Sequence, residues 1–323
     1  MSTRATVLVL GALGLLAALV LTLALGVGTT STDLAAVWRA DPLVLAVRLP
    51  RVLLAALAGA GLAAAGVAFQ ALLRNPLADP YVVGVSGGAA LGGVLALVLG
   101  LSADLLLPLC AFAGAVLSAL AMFGLARAAG RTDALTLLLV GVVWNAFAAA
   151  VVTFIKTVVS ATKAQEILFW LMGVIEVLPA TSLVALALYL AIGAAVLIVM
   201  AGTLNLLATS DDEAAALGVD VDRARLIIFL AATLLVGATV ATTGMVGFVG
   251  LVVPHVLRRL LGADHRLLLP ASLFAGAMFL VIADALARLT FQAFGTELPV
   301  GVITAATGGP FFLALLLRPH RRA

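Results

Sequence analysis

The chain has 323 residues, 64% of them hydrophobic and 10% charged, with a mean hydropathy of +1.28. Soluble domains are about 45–50% apolar and about 25% charged, and surface-to-volume scaling leaves no way to hide this much apolar side chain in a water-soluble core. A net charge of +3 does not suggest a nucleic-acid partner, and the single cysteine, Cys110, excludes an internal disulfide framework.

With lipid as the solvent, backbone polar groups must pair internally, so the chain must form helices or a closed barrel. Barrel strands alternate polar and apolar residues over about ten positions, whereas the apolar runs here are continuous and long enough to span as helices. The first expected span covers residues 7–27. It exceeds the apolar region of a signal peptide and reads as a retained helix. Further spans are expected at 51–73, 81–101, 105–126, 135–158, 183–201, 226–243, 248–261, 267–289 and 300–317, the eighth being short. The predicted fold is an all-α integral membrane protein with about ten transmembrane helices, forming a single domain over residues 1–323.

Orientation follows from basic residues in short loops. With a cytoplasmic N-terminus, the inner loops receive Arg4, Arg74, Arg127, Arg131, Arg223, Arg225, Arg258, Arg259, Arg266, Arg318, Arg321 and Arg322. The outer loops receive only Arg39, Arg48, Arg51, Lys156, Lys163 and Arg288. Both termini are therefore expected in the cytoplasm. Gly59, Ala60, Ala63 and Gly66 recur at the same spacing as Gly237, Ala238, Ala241 and Gly244. These helices run in opposite directions, as an inverted repeat would.

Three segments interrupt the apolar pattern. Asn75-Pro76-Leu77-Ala78-Asp79-Pro80 makes a rigid turn, because each proline sits behind an Asn or Asp. An outer stretch, 160–180, has room for a short extra helix over 163–173. The inner stretch 205–225 is the most polar and reads as two short helices around Gly218.

Several chemistries lack their motif. There is no G-x-x-x-x-G-K-[ST] loop for a nucleotide and no H-E-x-x-H for zinc. The spans hold no carboxylate pair, and no cofactor or metal site is expected. His255 follows Pro254 and is either a relay group or a kink residue. Asp284 stands one helical turn from Arg288, which predicts a local ion pair. Gln70, Asn145 and Gln292 either bond neighbouring helices or line a wet path. The scarcity of buried charge places the energy source outside this chain.

Three blocks together carry a resemblance. The first runs from Arg48-Leu49-Pro50-Arg51 through Gly66-Val67-Ala68-Phe69-Gln70 to the Asn75–Pro80 turn and Gly84-Val85-Ser86-Gly87-Gly88. The second joins Gly247-Phe248-Val249-Gly250-Leu251-Val252-Val253-Pro254-His255 to Gly262-Ala263-Asp264-His265-Arg266. The third joins Glu297-Leu298-Pro299-Val300-Gly301 to Gly308-Gly309-Pro310. In this order and spacing the chain closely resembles the FecCD permeases of type II ABC importers, which carry iron chelates, haem and cobalamin.

The resemblance implies a homodimer in the bacterial inner membrane, served by two cytoplasmic ATP-binding subunits and an outer substrate-binding protein. It implies docking of that protein at Arg48, Arg51 and Arg288, whose forked guanidinium groups suit carboxylates. It implies ATPase coupling through Asp212, Glu213, Ala214, Leu217 and Gly218. It places an inner gate at Asn75, Pro76, Leu77, Ala134 and Leu135, and pathway residues at Asn145 and Gly173. A ferric siderophore is the first expected cargo, with haem and cobalamin as alternatives. A self-powered secondary transporter or channel is the contrasting class, distinguished by whether transport needs an ATPase partner.

Overall fold

A computed structural model describes residues 3–28, 35–39, 41–81, 84–101, 106–128 and 133–316. Its elements, in chain order, are α1 (Thr3–Gly26), α2 (Ala35–Trp38), a π-helical turn (Val44–Arg48), α3 (Leu49–Leu72), α4 (Val85–Val98), α5 (Leu106–Ala128) and α6 (Ala134–Val158). Then come α7 (Ala161–Leu171), α8 (Ala180–Val199), α9 (Ala201–Leu207), α10 (Asp211–Ala216), α11 (Val221–Thr243), α12 (Val249–Leu261), α13 (His265–Phe294) and α14 (Val300–Leu316). No strand occurs among the described residues. Among the described residues, seven helices are long and apolar enough to cross a membrane: α1, α3 with its π turn, α5, α6, α8, α11 and α13. The shorter α4, α12 and α14 occupy the other three expected positions.

The long helices differ in what surrounds them. The apolar window of α3 is 83% buried within the chain and that of α11 is 72% buried, whereas that of α1 is 11% buried. Leu8, Leu15, Val143 and Val199 on α1, α6 and α8 are exposed. In a membrane such side chains meet lipid or another subunit at no hydrophobic cost. The two central helices pack instead through small residues, which permit close backbone approach. A methyl group at Gly59 of α3 would collide with the Gly276 carbonyl of α13, and one at Gly276 would collide with the Gly59 carbonyl.

The two central helices have similar surroundings, as an inverted repeat would require. Central α3 packs on α13 and α12 of the other half, and central α11 packs on α5 and α4. Each central helix is followed by an unwound stretch and then a short helix. Both short helices begin at a left-handed residue, Gly84 (φ 89°) before α4 and Phe248 (φ 69°) before α12.

Three boundaries differ from the expectation. Helix begins before residue 51, because Pro50 falls in the first turn of α3, where a missing N–H costs nothing. The Leu49 N–H bonds the Val44 carbonyl and closes the π turn. The span predicted over 81–101 shortens to α4, which begins only at Val85 and ends at Val98. The stretch 205–225 does not hold two short helices around Gly218. It holds the end of α9, then α10, and residues after Asp220 already belong to α11. The Asp220 carboxylate accepts from the Arg223 N–H and starts the long helix early.

Candidate functional site

The charged and unwound residues fall into three groups: an inner cluster, a central crossing of irregular backbone, and an outer cluster.

At the inner end, Ser210 caps α10 by accepting from the Glu213 N–H at 3.0 Å, and Ser210-x-x-Glu213 has the spacing of a capping box. Gly218 (φ 85°) stops the segment in a conformation that favours glycine. Ala214 is buried, while Asp212, Glu213, Leu217 and Gly218 are exposed. Leu217, the C-cap residue, is 68% exposed, so the segment presents carboxylates in its first turn and an apolar side chain at its far end. Asp211 faces the other way. Its Oδ1 accepts from Arg225 Nη2 at 2.7 Å and also from Arg74 Nη2. Nearby, Asn205 donates to Asp264 at 2.8 Å. That bond and the Arg266 N–H hold the Asp264 carboxyl below the usual carboxylate range.

Asn75 shapes the turn that follows Arg74. Its side chain accepts from the Leu77 N–H at 2.9 Å, and its carbonyl accepts from Ala78. Asn75 is half-buried, whereas Pro76 and Leu77 are exposed. At the start of α6, Asp133 caps the helix by accepting from the Thr136 N–H. Ala134 there is half-buried and Leu135 is exposed.

Beyond this turn the chain folds back along α3. The Pro80 ring lies against Gly250, as do Leu62 and Gly66 of α3. Helix rise is about 1.5 Å per residue, so Pro80 sits roughly 9–15 Å from the inner end of α3. Three unwound segments meet at this depth. The Asp79 carboxylate accepts from the Tyr81 N–H at 2.8 Å and from the Phe248 N–H. The Tyr81 hydroxyl accepts from the Val246 N–H at 2.6 Å. Gly173 (φ 78°) sits against the Met245 carbonyl, and its own carbonyl accepts from the Gly301 N–H at 3.3 Å. Asn145 of α6 donates to the Tyr81 carbonyl, as does Ser86. Asn145 thus ties α6 to the crossing rather than standing free.

Short or interrupted helices at matching positions of two repeats mark the substrate region in several transporter folds. Asn145 and Gly173, expected along the pathway, both lie at this crossing, as do Asp79 and Tyr81, which sequence reasoning did not name as site residues. The available signal was the short expected span 248–261 together with the proline turn 75–80.

The outer cluster is an interlocked ion network. Arg48 is buried and donates to the carbonyls of Leu25 and Gly26 at the end of α1. Arg288, also buried, donates to the carbonyls of Ala24 and Val27 and pairs with Asp284 at 3.0 Å. Arg51 pairs with Asp284 at 3.0 Å and with Glu297 at 2.7 Å. The side chains of Asp284 and Arg288 are 1% and 3% exposed, against 15% for Arg51 and 32% for Glu297. The predicted Asp284–Arg288 pair is therefore present, and Arg51 completes it. Arg48 and Arg288 turn inward to close the end of α1, leaving Arg51 and Glu297 at the rim.

Gln70 bonds neighbouring helices, donating to the Gly250 carbonyl and accepting from Arg258. Gln292 is exposed. His255 is half-buried beside the cations Arg258 and Arg259. No group of three or more potential metal ligands occurs among the described residues.

Comparison with known proteins places this geometry. Residues 15–318 match the model of the FecCD transport family. The hemin transport system permease protein HmuU of Yersinia pestis is 40% identical over 325 residues, covering 96% of each chain. The cobalamin import system permease protein BtuC of Halobacterium salinarum is 42% identical over 284 residues, covering 88% of this chain and 76% of the relative. A solved metal-chelate type ABC transporter in an inward-facing conformation superposes with a TM-score of 0.85 at 32% identity, over 97% of this chain and 99% of that one. Family model, relatives and fold agree, and the chain belongs to the FecCD transport family.

Proposed function

We propose that this multi-pass membrane protein is the permease subunit of an ATP-driven importer of a large metal chelate. The observation that carries the proposal is α10. It is a capped, glycine-terminated helix at the inner end, with exposed Asp212 and Glu213 in its first turn and exposed Leu217 at its far end. A short helix of this kind suits a groove on a cytoplasmic ATPase, which would supply the energy. Two such subunits would serve a pair of permease chains, with the pathway between the copies.

The self-powered alternative is disfavoured by the fate of Asp284. It is the buried carboxylate of the outer cluster, and an ion-coupled carrier would need such a group free to titrate or to bind a cation. Here two arginines occupy it.

At the outer end we assign docking of the substrate-binding protein to Arg51 at the rim, with Arg48 and Arg288 supporting it from beneath. In the inner gate, Leu77 and Leu135 are the exposed apolar side chains available to meet across the pathway. The relatives' names span haem and cobalamin, which supports a chelated metal as the cargo class. Ferric siderophore, the first expectation, is tested beside them.

The deciding experiment reconstitutes the chain in proteoliposomes with its ATPase and binding protein. Uptake of a ferric hydroxamate siderophore, haemin and cyanocobalamin is measured with and without ATP. One of the three should accumulate only when all components and ATP are present. Uptake by the chain alone, driven by a proton or sodium gradient, would overturn the proposal.

A further inference from the structure

Three elements distant in sequence converge on one carboxylate at the inner end. Asp211 opens α10, Arg225 lies in α11, and Arg74 precedes the Asn75–Leu77 turn. Both guanidinium groups donate to the same oxygen, Asp211 Oδ1. Arg225 has a side chain only 4% exposed. Arg74 is held twice, since its Nε also donates to the Leu207 carbonyl at 2.9 Å, at the end of α9. Its backbone is left-handed (φ 47°), a conformation that a non-glycine residue rarely adopts.

We propose that Asp211 is a positioning residue that yokes the coupling helix to the gate turn and to α11. This rests on the reading of α10 as the coupling helix. Asp212 and Glu213 are exposed at the face open to a partner, whereas Asp211 is engaged inward. An exposed Arg74–Asp211 pair alone would hold weakly. The buried Arg225 strengthens it, because withdrawing the carboxylate would strand a desolvated cation.

Direct bonds continue from the gate turn. Asp79 and Tyr81 hold the 246–248 backbone, and the Tyr81 carbonyl holds Asn145 of α6. A displacement of α10 therefore reaches the central crossing through bonded contacts rather than loose packing. The ion pairs spread the load between a loop and a long helix, so that turn and helix move together.

The test compares Asp211→Asn, Asp211→Glu and Arg74→Gln in the assembled transporter, measuring ATP hydrolysis and chelate uptake in the same vesicles. The chelate is whichever of the three above is taken up. Asp211→Asn and Arg74→Gln should assemble and hydrolyse ATP normally, while chelate moved per ATP falls about two- to thirtyfold, the range for single contacts along a coupling path. Asp211→Glu should recover most of the loss. Spin labels at positions 77 and 216 should keep a fixed separation through the nucleotide cycle, and Asp211→Asn should make that separation nucleotide-dependent.

Wild-type chelate per ATP in both Asp211→Asn and Arg74→Gln overturns the yoke. If Asp211→Asn does not assemble, Arg74→Gln decides the matter, because it leaves α10 intact. Leu217→Asp separates the underlying reading. Normal assembly and hydrolysis in that variant would reject α10 as the coupling helix. Failed assembly there, with unchanged coupling in the other two, would reject the yoke alone.

Discussion

Replacing Asp284 with Asn tests the outer ion network. The substitution keeps the shape of the side chain and removes its charge. Asp284 faces Arg51 and Arg288, each at 3.0 Å, from a site only 1% exposed. Opposite charges about 4 Å apart interact by about 4 kcal/mol at an effective dielectric of 20, so the two pairs represent about 8 kcal/mol before desolvation is subtracted. Desolvation offsets several kcal/mol per ion, and removing one partner from a buried pair typically leaves a loss of about 3–5 kcal/mol.

The lower end of that range is expected here. Arg51 keeps Glu297, and Arg288 keeps the carbonyls of Ala24 and Val27. At roughly 2 °C per kcal/mol, a loss of about 3 kcal/mol lowers the melting temperature by about 6 °C. A thermal melt in detergent or nanodiscs reads this directly. The double variant Asp284→Asn/Arg288→Gln should lose less than the sum of the single losses, since each removes the other's buried partner. A melting temperature for Asp284→Asn within about 1 °C of wild type would refute the reasoning that these charges are desolvated and mutually dependent.

Other outcomes follow from the same structure. Gly59→Ala and Gly276→Ala should each cost about 1–3 kcal/mol by forcing α3 and α13 apart, seen as a lower melting temperature. Their combination should cost less than the sum, because the first methyl group already separates the helices. Tyr81→Phe removes the acceptor of the Val246 N–H and should cost about 1–3 kcal/mol, with reduced transport where the unwound segments meet. Asp264 has a depressed folded pKa, so its stabilisation is complete above its unfolded value of about 3.9 and is lost as pH falls through the lower folded value. Asn205→Leu should shift that acid transition upward toward 3.9, visible in melts recorded across pH. Reversing Arg51 to Glu should weaken docking of the binding protein in a salt-dependent way, measured by vesicle binding at two ionic strengths.

Much of this protein was legible in one dimension. Apolar length and hydropathy are local properties, so the all-α class and the positions of the long apolar helices followed from runs of residues. Cap chemistry is local too, which is why Ser210 and Gly218 bracket a helix as their residue types imply. The Asp284–Arg288 pair was readable because helical spacing puts those two residues on one face.

Contacts across sequence were decided only by the tertiary structure. Nothing local showed that Arg48 turns inward to close the end of α1, or that Arg51 reaches both Asp284 and Glu297. Nor could spacing show that Arg74 and Arg225 share Asp211, or that Tyr81 binds the backbone at Val246. The side chains involved are long and polar, and many partners are possible within their reach. In lipid, small residues allow helices to approach closely, and that approach selects which polar groups meet. The all-α class came from the chain's chemistry, whereas the meeting of Arg74 and Arg225 at Asp211 came from the folding together of segments far apart in sequence.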